Sequence, residues 1–384
     1  MSTRTVVVLG GGIGGVVAAR QLRRRLDGDD RVVLIERDLQ LRFAPSLLWV
    51  LSGARRAEQI TRDISALRKF GIEVVEDEIL ALDADEHTVT TKGDVVQADA
   101  LVVSLGAQLD PGSIPGFAQA AHVIYTLAGA QTAGQALRSL SSGRVAVLVS
   151  STPFKCPAAP YEAAFLAEAL LRRRGLGDRV QVDVYTPEIL PMPTAGPVVG
   201  EALRVMLEER GIGFHPGHSI ERVDADARVL RFKDGVTAGY DLLLGVPPHR
   251  PPEPVATSTI AGETGYATVD PRTLRTASTD VYAIGDATAI PIAGGKFLPK
   301  AGIFAEAQAK TVAALIAADW HHSGSSASFD GNGSCFVELG EGRAAFATGD
   351  FYAPDGAEVT MRTPGRRRHL AKVAFEQYWL RRWL

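Results

Sequence analysis

Apolar residues come in short blocks separated by glycine-rich or polar turns, and the first block sets the rhythm of the chain. Residues 5–9 (TVVVL) and 31–36 (RVVLIE) are continuous apolar runs of strand length, and between them Val, Ala and Leu recur at helical spacing to about Leu26. Strand, turn, helix, strand in that order predicts a parallel βαβ unit. Strand-like segments alternate with turns through 72–99, and the run 100–105 ends in Gly106-Ala107. A second unit is predicted from 144 onward, with strand 145–149, a turn, a helix to about 170, strand 180–185 and helix 198–210. Extended segments around 219–232 and 240–246 follow, broken by the rigid Pro247-Pro-His-Arg-Pro-Pro252. The strand-to-turn pattern returns in VYAIGDA (281–287), and 302–318 is predicted as helix. Residues 321–334 are small and polar and predict a linker. Short strands from 335 to about 360 and a basic helix close the chain.

A chain of 384 residues is longer than one ordinary domain, and its 46% apolar content is that of a globular protein. Its formal net charge of −3 removes whole-chain basicity as a reason to expect nucleic acid, and no such partner is expected. There is no run of roughly 18 apolar residues, so no spanning helix is expected. The first strand begins within a few residues of Met1, which leaves no room for a secretory signal and predicts a cytoplasmic protein.

The first turn spells Gly10-x-Gly12-x-x-Gly15, and an acid, Glu36, ends the second strand. This is the full dinucleotide fingerprint. Gly10 makes the tight turn, Gly12 lets a pyrophosphate approach, Gly15 lets helix pack on strand, and Glu36 takes ribose hydroxyls. The fold class is therefore α/β, with two Rossmann-like dinucleotide-binding domains and a small C-terminal region. The expected division is 1–110 with 270–322, then 111–269, then 323–384. The second unit departs from the pattern, because its turn reads Ser150-Ser-Thr-Pro-Phe-Lys-Cys156-Pro and contains no glycine. Pro153 also removes a backbone donor, so this turn is a poor NAD(P)H site. On count alone, Cys156 and Cys335 would be two unrelated buried thiols of a reducing compartment.

The fingerprint 10–15 with Glu36, the strand 100–107 and Tyr282-Ala-Ile-Gly-Asp286 together resemble the two-dinucleotide-binding-domain flavoproteins, over essentially the whole chain. That resemblance implies FAD in the first domain, held by Gly10, Gly12, Gly14, Gly15, Glu36, Arg37, Arg42, Pro45, Gly106 and Ala107. Gly285 and Asp286 would lie by the ribityl chain and Lys300 near the pyrimidine end, where its charge would stabilise the reduced cofactor. A cysteine in place of the second fingerprint resembles, more narrowly, the sulfide:quinone oxidoreductases and the flavoprotein of flavocytochrome c sulfide dehydrogenase. The segments FAPSLLWVLSG (43–53), VPPHR (246–250), PKAG (299–302) and GSCFVELG (333–340) agree with it. What the narrower resemblance implies is a redox pair, Cys156 facing Cys335 beside the flavin, with Cys335 expected to meet the cofactor. Cys156, Cys335 and Lys300 are then the catalytic set. Sulfide or another small sulfur species would reduce FAD through the pair, and a membrane quinone would take the electrons. Lys155, or a helix start after Pro157, is expected to lower the pKa of the Cys156 thiol. Many members of that family carry a third cysteine where this chain has YTLAGAQ (125–131). Its absence excludes covalent attachment there, so the FAD is expected to be non-covalent.

Residues 365–384 carry Arg366, Arg367, Arg368, Lys372, Arg381 and Arg382 against one acid, Glu376, with Tyr378, Trp379 and Trp383 near one end. Basic and aromatic residues on such a helix predict contact with an anionic membrane surface, on the inner face of the cell membrane. The alternative is docking on the protein itself or on a homodimer partner. Three other functions stay open on the sequence: a persulfide or polysulfide oxidoreductase with a soluble acceptor, a non-catalytic redox sensor, and an NAD(P)H-dependent enzyme such as a type II NADH dehydrogenase.

Overall fold

Each predicted unit builds its own parallel five-stranded sheet. The computed structural model describes residues 3–384. The first sheet runs in the order Val281–Ala283, Ala100–Val103, Thr5–Leu9, Arg31–Glu36, Glu73–Glu76. Val7 lies opposite Val33 on one side and Leu101 on the other, and all three are buried. Strands covered on both faces need continuous rather than alternating apolar runs, which is why the buried parts of the strands, VVVL and ALVV, have no polar position. The helices Ile13–Arg25 and Gly302–Trp320 pack on each other, and small residues such as Gly302 allow it, since a Cβ there would lie 2.7 Å from Ile13.

The second sheet runs His122–Val123, Leu242–Val246, Gly143–Val149, Val180–Tyr185, Gly213–His215, also all parallel. Both fingerprint-position turns therefore sit at the carboxyl ends of their central strands, where ligands bind in open α/β sheets. The chain passes between the two units through two short stretches, Gln108–Leu109 and His249–Arg250, which pair antiparallel.

Two expectations need correction here. The segment 321–334 is not simply a linker: Phe329 is buried and meets Phe304 and Tyr352 edge-on, and a long strand begins at Asn332. Asn332–Gly340, Arg343–Asp350 and Glu358–Gly365 form one antiparallel sheet, so Cys335 is held in a strand. The polar composition hid this because one aromatic anchors the whole segment.

The helix Arg366–Trp383 docks on its own protein, which overturns the reading of its tryptophans as interfacial. Trp379 and Trp383 are each 1% exposed, and only Leu370 (63%) and Tyr378 (56%) present large apolar surface. Trp379 Nε1 donates to Glu306 at 3.0 Å, and Arg55 grips Glu376 at 2.8 Å. Lys372, expected among the basic residues that meet a membrane surface, is buried and donates to Glu162 at 2.7 Å. Buried acids on the body thus hold Lys372 and the Trp379 indole of the helix, and a basic residue of the body, Arg55, holds the helix's own Glu376. Among the described residues no helix is long and apolar enough to cross a membrane.

Candidate active site

The first turn is shaped for a phosphate-bearing ligand. Gly10 has φ +98° and donates to the Ile35 carbonyl at 2.9 Å, and a Cβ on Gly15 would lie 1.8 Å from the Gly10 carbonyl oxygen. At Gly12, by contrast, a Cβ would meet nothing within 4 Å, so open space lies above the start of helix Ile13–Arg25. That helix has no side-chain cap, and its first N–H groups and positive dipole end are available to an anion. Glu36 accepts from the Gly11 N–H at 2.7 Å and lines a cavity of about 370 Å³ together with Gly10, Arg37, Gly106 and Ala107.

A second cavity of about 230 Å³ shares Gly12, Ser104 and Gly106 with the first, so the two adjoin along one trough-like line over the glycine turn. Its lining includes Gly14, Arg42, Pro45, Gly285, Asp286, Lys155 and Cys156. Arg42 is paired with Asp38, and Arg37 lies 3.5 Å from Glu78. An adenine dinucleotide carrying a second ring system needs a long trough with an acid at one end and a helix N-terminus midway. These residues meet that requirement.

Lys300 also lines this cavity and is buried. Its ammonium donates to the carbonyls of Asp286 (2.8 Å) and Thr288 (2.9 Å) and lies 3.5 Å from the Tyr266 ring centroid. Burial lowers its pKa to about 8, with Asp286 opposing the shift. It is not a solvent-facing lysine at a helix start, and at neutral pH it still carries most of its charge. Burial pushes the Asp286 carboxyl up, against the pull of Lys155 and Lys300.

The Cys156 turn offers few free backbone donors to a second pyrophosphate. Cys156 itself has φ +50°, a strained value for a non-glycine residue, and its N–H donates to the Lys300 carbonyl at 2.6 Å. Its carbonyl accepts from the Ala159 N–H at 2.9 Å and from the Tyr125 hydroxyl at 3.4 Å. Helix Ala159–Arg173 then begins with a proline at its second position, which offers no donor. Beyond strand Val180–Tyr185 the acid that a nicotinamide ribose would use is Glu188, but its carboxylate accepts from Tyr161 and from Thr186. The Cys156 N–H, which a pyrophosphate would need at this turn, is likewise engaged by the protein.

Cys156 and Cys335 are free thiols that line one further cavity, of about 50 Å³, walled almost entirely by apolar side chains. The expectation of a lowered pKa at Cys156 is overturned. Burial pushes this thiol well up, and Cys335 and Glu162 push it further. Lys155 does not offset them. Burial likewise raises Cys335, to about 12, again with Glu162 adding to it. Both groups thus stay protonated at neutral pH, because a thiolate in an apolar site loses its hydration. Alkylation of native Cys335 by iodoacetamide should accordingly remain slow at pH 8 and climb only toward pH 12. In denaturant it should follow the ordinary thiol titration near pH 8.5. Fast native labelling at pH 8 would contradict the apolar site.

Sequence reasoning missed a buried acid that acts on both cysteines. Glu162 lies among apolar neighbours in APYEAAFLAEAL, and that placement was the available signal. It is buried, borders the trough, accepts from Lys372 and from the Glu338 N–H (both 2.7 Å), and so ties the C-terminal helix to the site. His249, in the VPPHR segment, is a further residue of the site. Its ring stands edge-on to Tyr125 at 5.4 Å, and burial, with Lys155 second, lowers its pKa to about 3.

Residues 4–311 match the family model described as pyridine nucleotide-disulphide oxidoreductase. The chain belongs to that family. It is an oxidoreductase, and FAD is the cofactor for which its first domain is built. Among curated proteins it is similar to the mitochondrial sulfide:quinone oxidoreductase of Mus musculus, 27% identical over 304 residues. That match takes in 74% of this chain and 66% of the mouse protein, so the alignment spans just under two thirds of that relative's length. The sulfide-quinone reductase of Aquifex aeolicus (strain VF5) is 26% identical over 394 residues, covering 98% of this chain and 90% of the relative. A crystal structure of the Aquifex aeolicus sulfide:quinone oxidoreductase superposes with a TM-score of 0.87 at 24% identity, over 99% of this chain and 91% of that one. The similarity to sulfide:quinone oxidoreductases expected from the motifs is thus found in sequence, and the shared fold is found in structure.

Proposed function

We propose that the protein oxidises sulfide, through the Cys156/Cys335 pair and FAD, and delivers the electrons to a membrane quinone. One observation carries the reading: the turn that would bind a nicotinamide pyrophosphate instead presents Cys156 both to the FAD trough and to the cavity lined by Cys335. The names of the similar proteins from mouse and Aquifex aeolicus support it.

The working state is the disulfide. HS⁻ attacks one sulfur, the S–S bond breaks, and a persulfide is left on one cysteine and a thiolate on the other. Bound FAD supplies a two-electron acceptor for the pair. The high thiol pKa values make this directional, since a thiolate in so apolar a cavity is a strong electron donor with little hydration to lose. Lys300 and the uncapped N-termini of helices Ile13–Arg25 and Gly302–Trp320 provide positive potential along the trough where negative charge accumulates. Quinone as acceptor implies work at a membrane surface, and we assign the inner face of the cell membrane.

The test is anaerobic flavin absorbance. Sulfide should bleach the flavin within seconds, NADH should leave it yellow, and a short-chain quinone should restore the colour. Bleaching by NADH with indifference to sulfide would sink the proposal.

A further inference from the structure

Docking of the C-terminal helix buries Lys372 and both of its tryptophans but leaves Tyr378 and Arg382 facing outward, where they meet two other elements. Arg20 and Arg24 lie one turn apart on helix Ile13–Arg25, at the end away from the glycine turn. Lys69 and Phe70 close the short helix Ile64–Phe70 beside it. The Arg20 guanidinium lies 3.4 Å from the Phe70 ring centroid, Lys69 Nζ lies 5.0 Å from the same ring, and the Arg382 guanidinium lies 5.5 Å from that of Tyr378. Phe70 is 36% exposed. Burial lowers the pKa of Arg20, and Arg24 and Arg382 lower it further, so the three elements share one face. Among the described residues none of these four cations is paired with a carboxylate, and the Arg20 Nε is buried without a partner. The acids close by in sequence are engaged elsewhere: Asp27 with His321 at 3.6 Å, Asp30 with Arg4 at 3.8 Å and Glu73 with Arg31 at 2.7 Å.

Four unpaired cations around two exposed rings, on a chain of formal net charge −3, form a segregated face and not a general basicity. Crowded guanidinium groups without a counter-charge call for an anion from outside. The rings narrow the choice. An acidic protein would satisfy the charges and leave the rings in an aqueous rim, whereas the interface of a bilayer takes phosphate-bound guanidinium groups and aromatic rings at one depth. Resting on the quinone reading above for the need of a membrane, we infer that this composite face, and not the length of the C-terminal helix, seats the protein on an anionic phospholipid surface. It stands about 18 Å along helix Ile13–Arg25 from Gly12, so it is separate from the FAD trough. Each cation held near such a surface strengthens binding by about five-fold.

The test is cosedimentation of the FAD-loaded protein, without sulfide, with vesicles of phosphatidylcholine alone or mixed with phosphatidylglycerol. Binding should need the anionic lipid and weaken steeply between about 50 and about 500 mM salt, because these charges are exposed. Arg24→Glu combined with Arg382→Glu should lower vesicle affinity by roughly 25-fold or more, with flavin content and reduction by sulfide unchanged. Phe70→Ser should lower it several-fold. Arg366→Glu combined with Arg367→Glu, exposed and about 24 Å away at the other end of the C-terminal helix, should leave it unchanged. Equal binding to neutral vesicles would overturn the inference, as would loss of binding in the Arg366 and Arg367 variant with retention in the Arg24 and Arg382 variant. Capture by immobilised polyglutamate with no vesicle binding would overturn it too and assign the face to an acidic protein. Vesicle binding by a protein whose flavin sulfide fails to bleach would keep the face and remove the proposed function, and bleaching without vesicle binding would do the reverse.

Discussion

Cys156→Ala and Cys335→Ala should each slow flavin reduction by sulfide by roughly 10³-fold or more while leaving the protein yellow. Groups that act as one unit fail together, so either loss should cost about as much as both. The reason is chemical. Without its partner neither sulfur can be an electrophile, since a lone thiol has no S–S bond for HS⁻ to break. Flavin retention is expected because the glycine turn, Glu36 and Lys300 are untouched, and Cys156 contributes to the trough through its backbone bond to Lys300 as well as through its side chain. Stopped-flow absorbance on both variants and on the double variant decides the matter. A single variant that kept wild-type rates would show that the cysteines do not work as a pair. A double variant much slower than either single one would show two independent routes.

Lys372→Met should be the most destabilising single change outside the nucleotide turns, at about 3–5 kcal/mol. Burial opposes the charge of Lys372, but Glu162 and Glu338 outweigh it and hold the lysine pKa above its ordinary value. Its ammonium is thus charged when folded, donates to Glu162 at 2.7 Å and lies 5.0 Å from the Trp49 ring centroid. Removing it strands a buried Glu162 whose remaining donor is the Glu338 N–H, while Glu338 keeps His369 at 3.0 Å. The cost comes from an unpaired buried charge and not from the pair's own worth, so adding Glu162→Gln should recover a large part of it. Urea unfolding of the wild type, the single and the double variant tests this. No recovery in the double variant would mean that packing of the lysine stem, not charge, fastens the helix.

Much of the first domain could be read from residues that are near neighbours in sequence. TVVVL, the glycine turn and RVVLIE each specify their element through local rules, and the strands Thr5–Leu9 and Arg31–Glu36 lie where the apolar runs begin and end. The cysteine-for-glycine turn was legible too, since the absence of glycine and the presence of two prolines are facts of the sequence. The pKa of Cys156 was not. Lys155 is its neighbour in the chain, but burial, Cys335 and Glu162 surround it in space, and desolvation outweighs one adjacent positive charge.

The C-terminal helix shows the same division. Its sequence determined that it would be amphipathic and basic, a pattern that a membrane surface and a set of buried carboxylates satisfy equally well. Only the tertiary structure decided between them, by bringing Glu162, Glu306 and Glu376, the last from the helix itself, into bonds with Lys372, Trp379 and Arg55. Local propensity and period are written in consecutive residues. The partner of a buried charge is fixed by chain folding, which joined Glu162 to Lys372 across 210 positions.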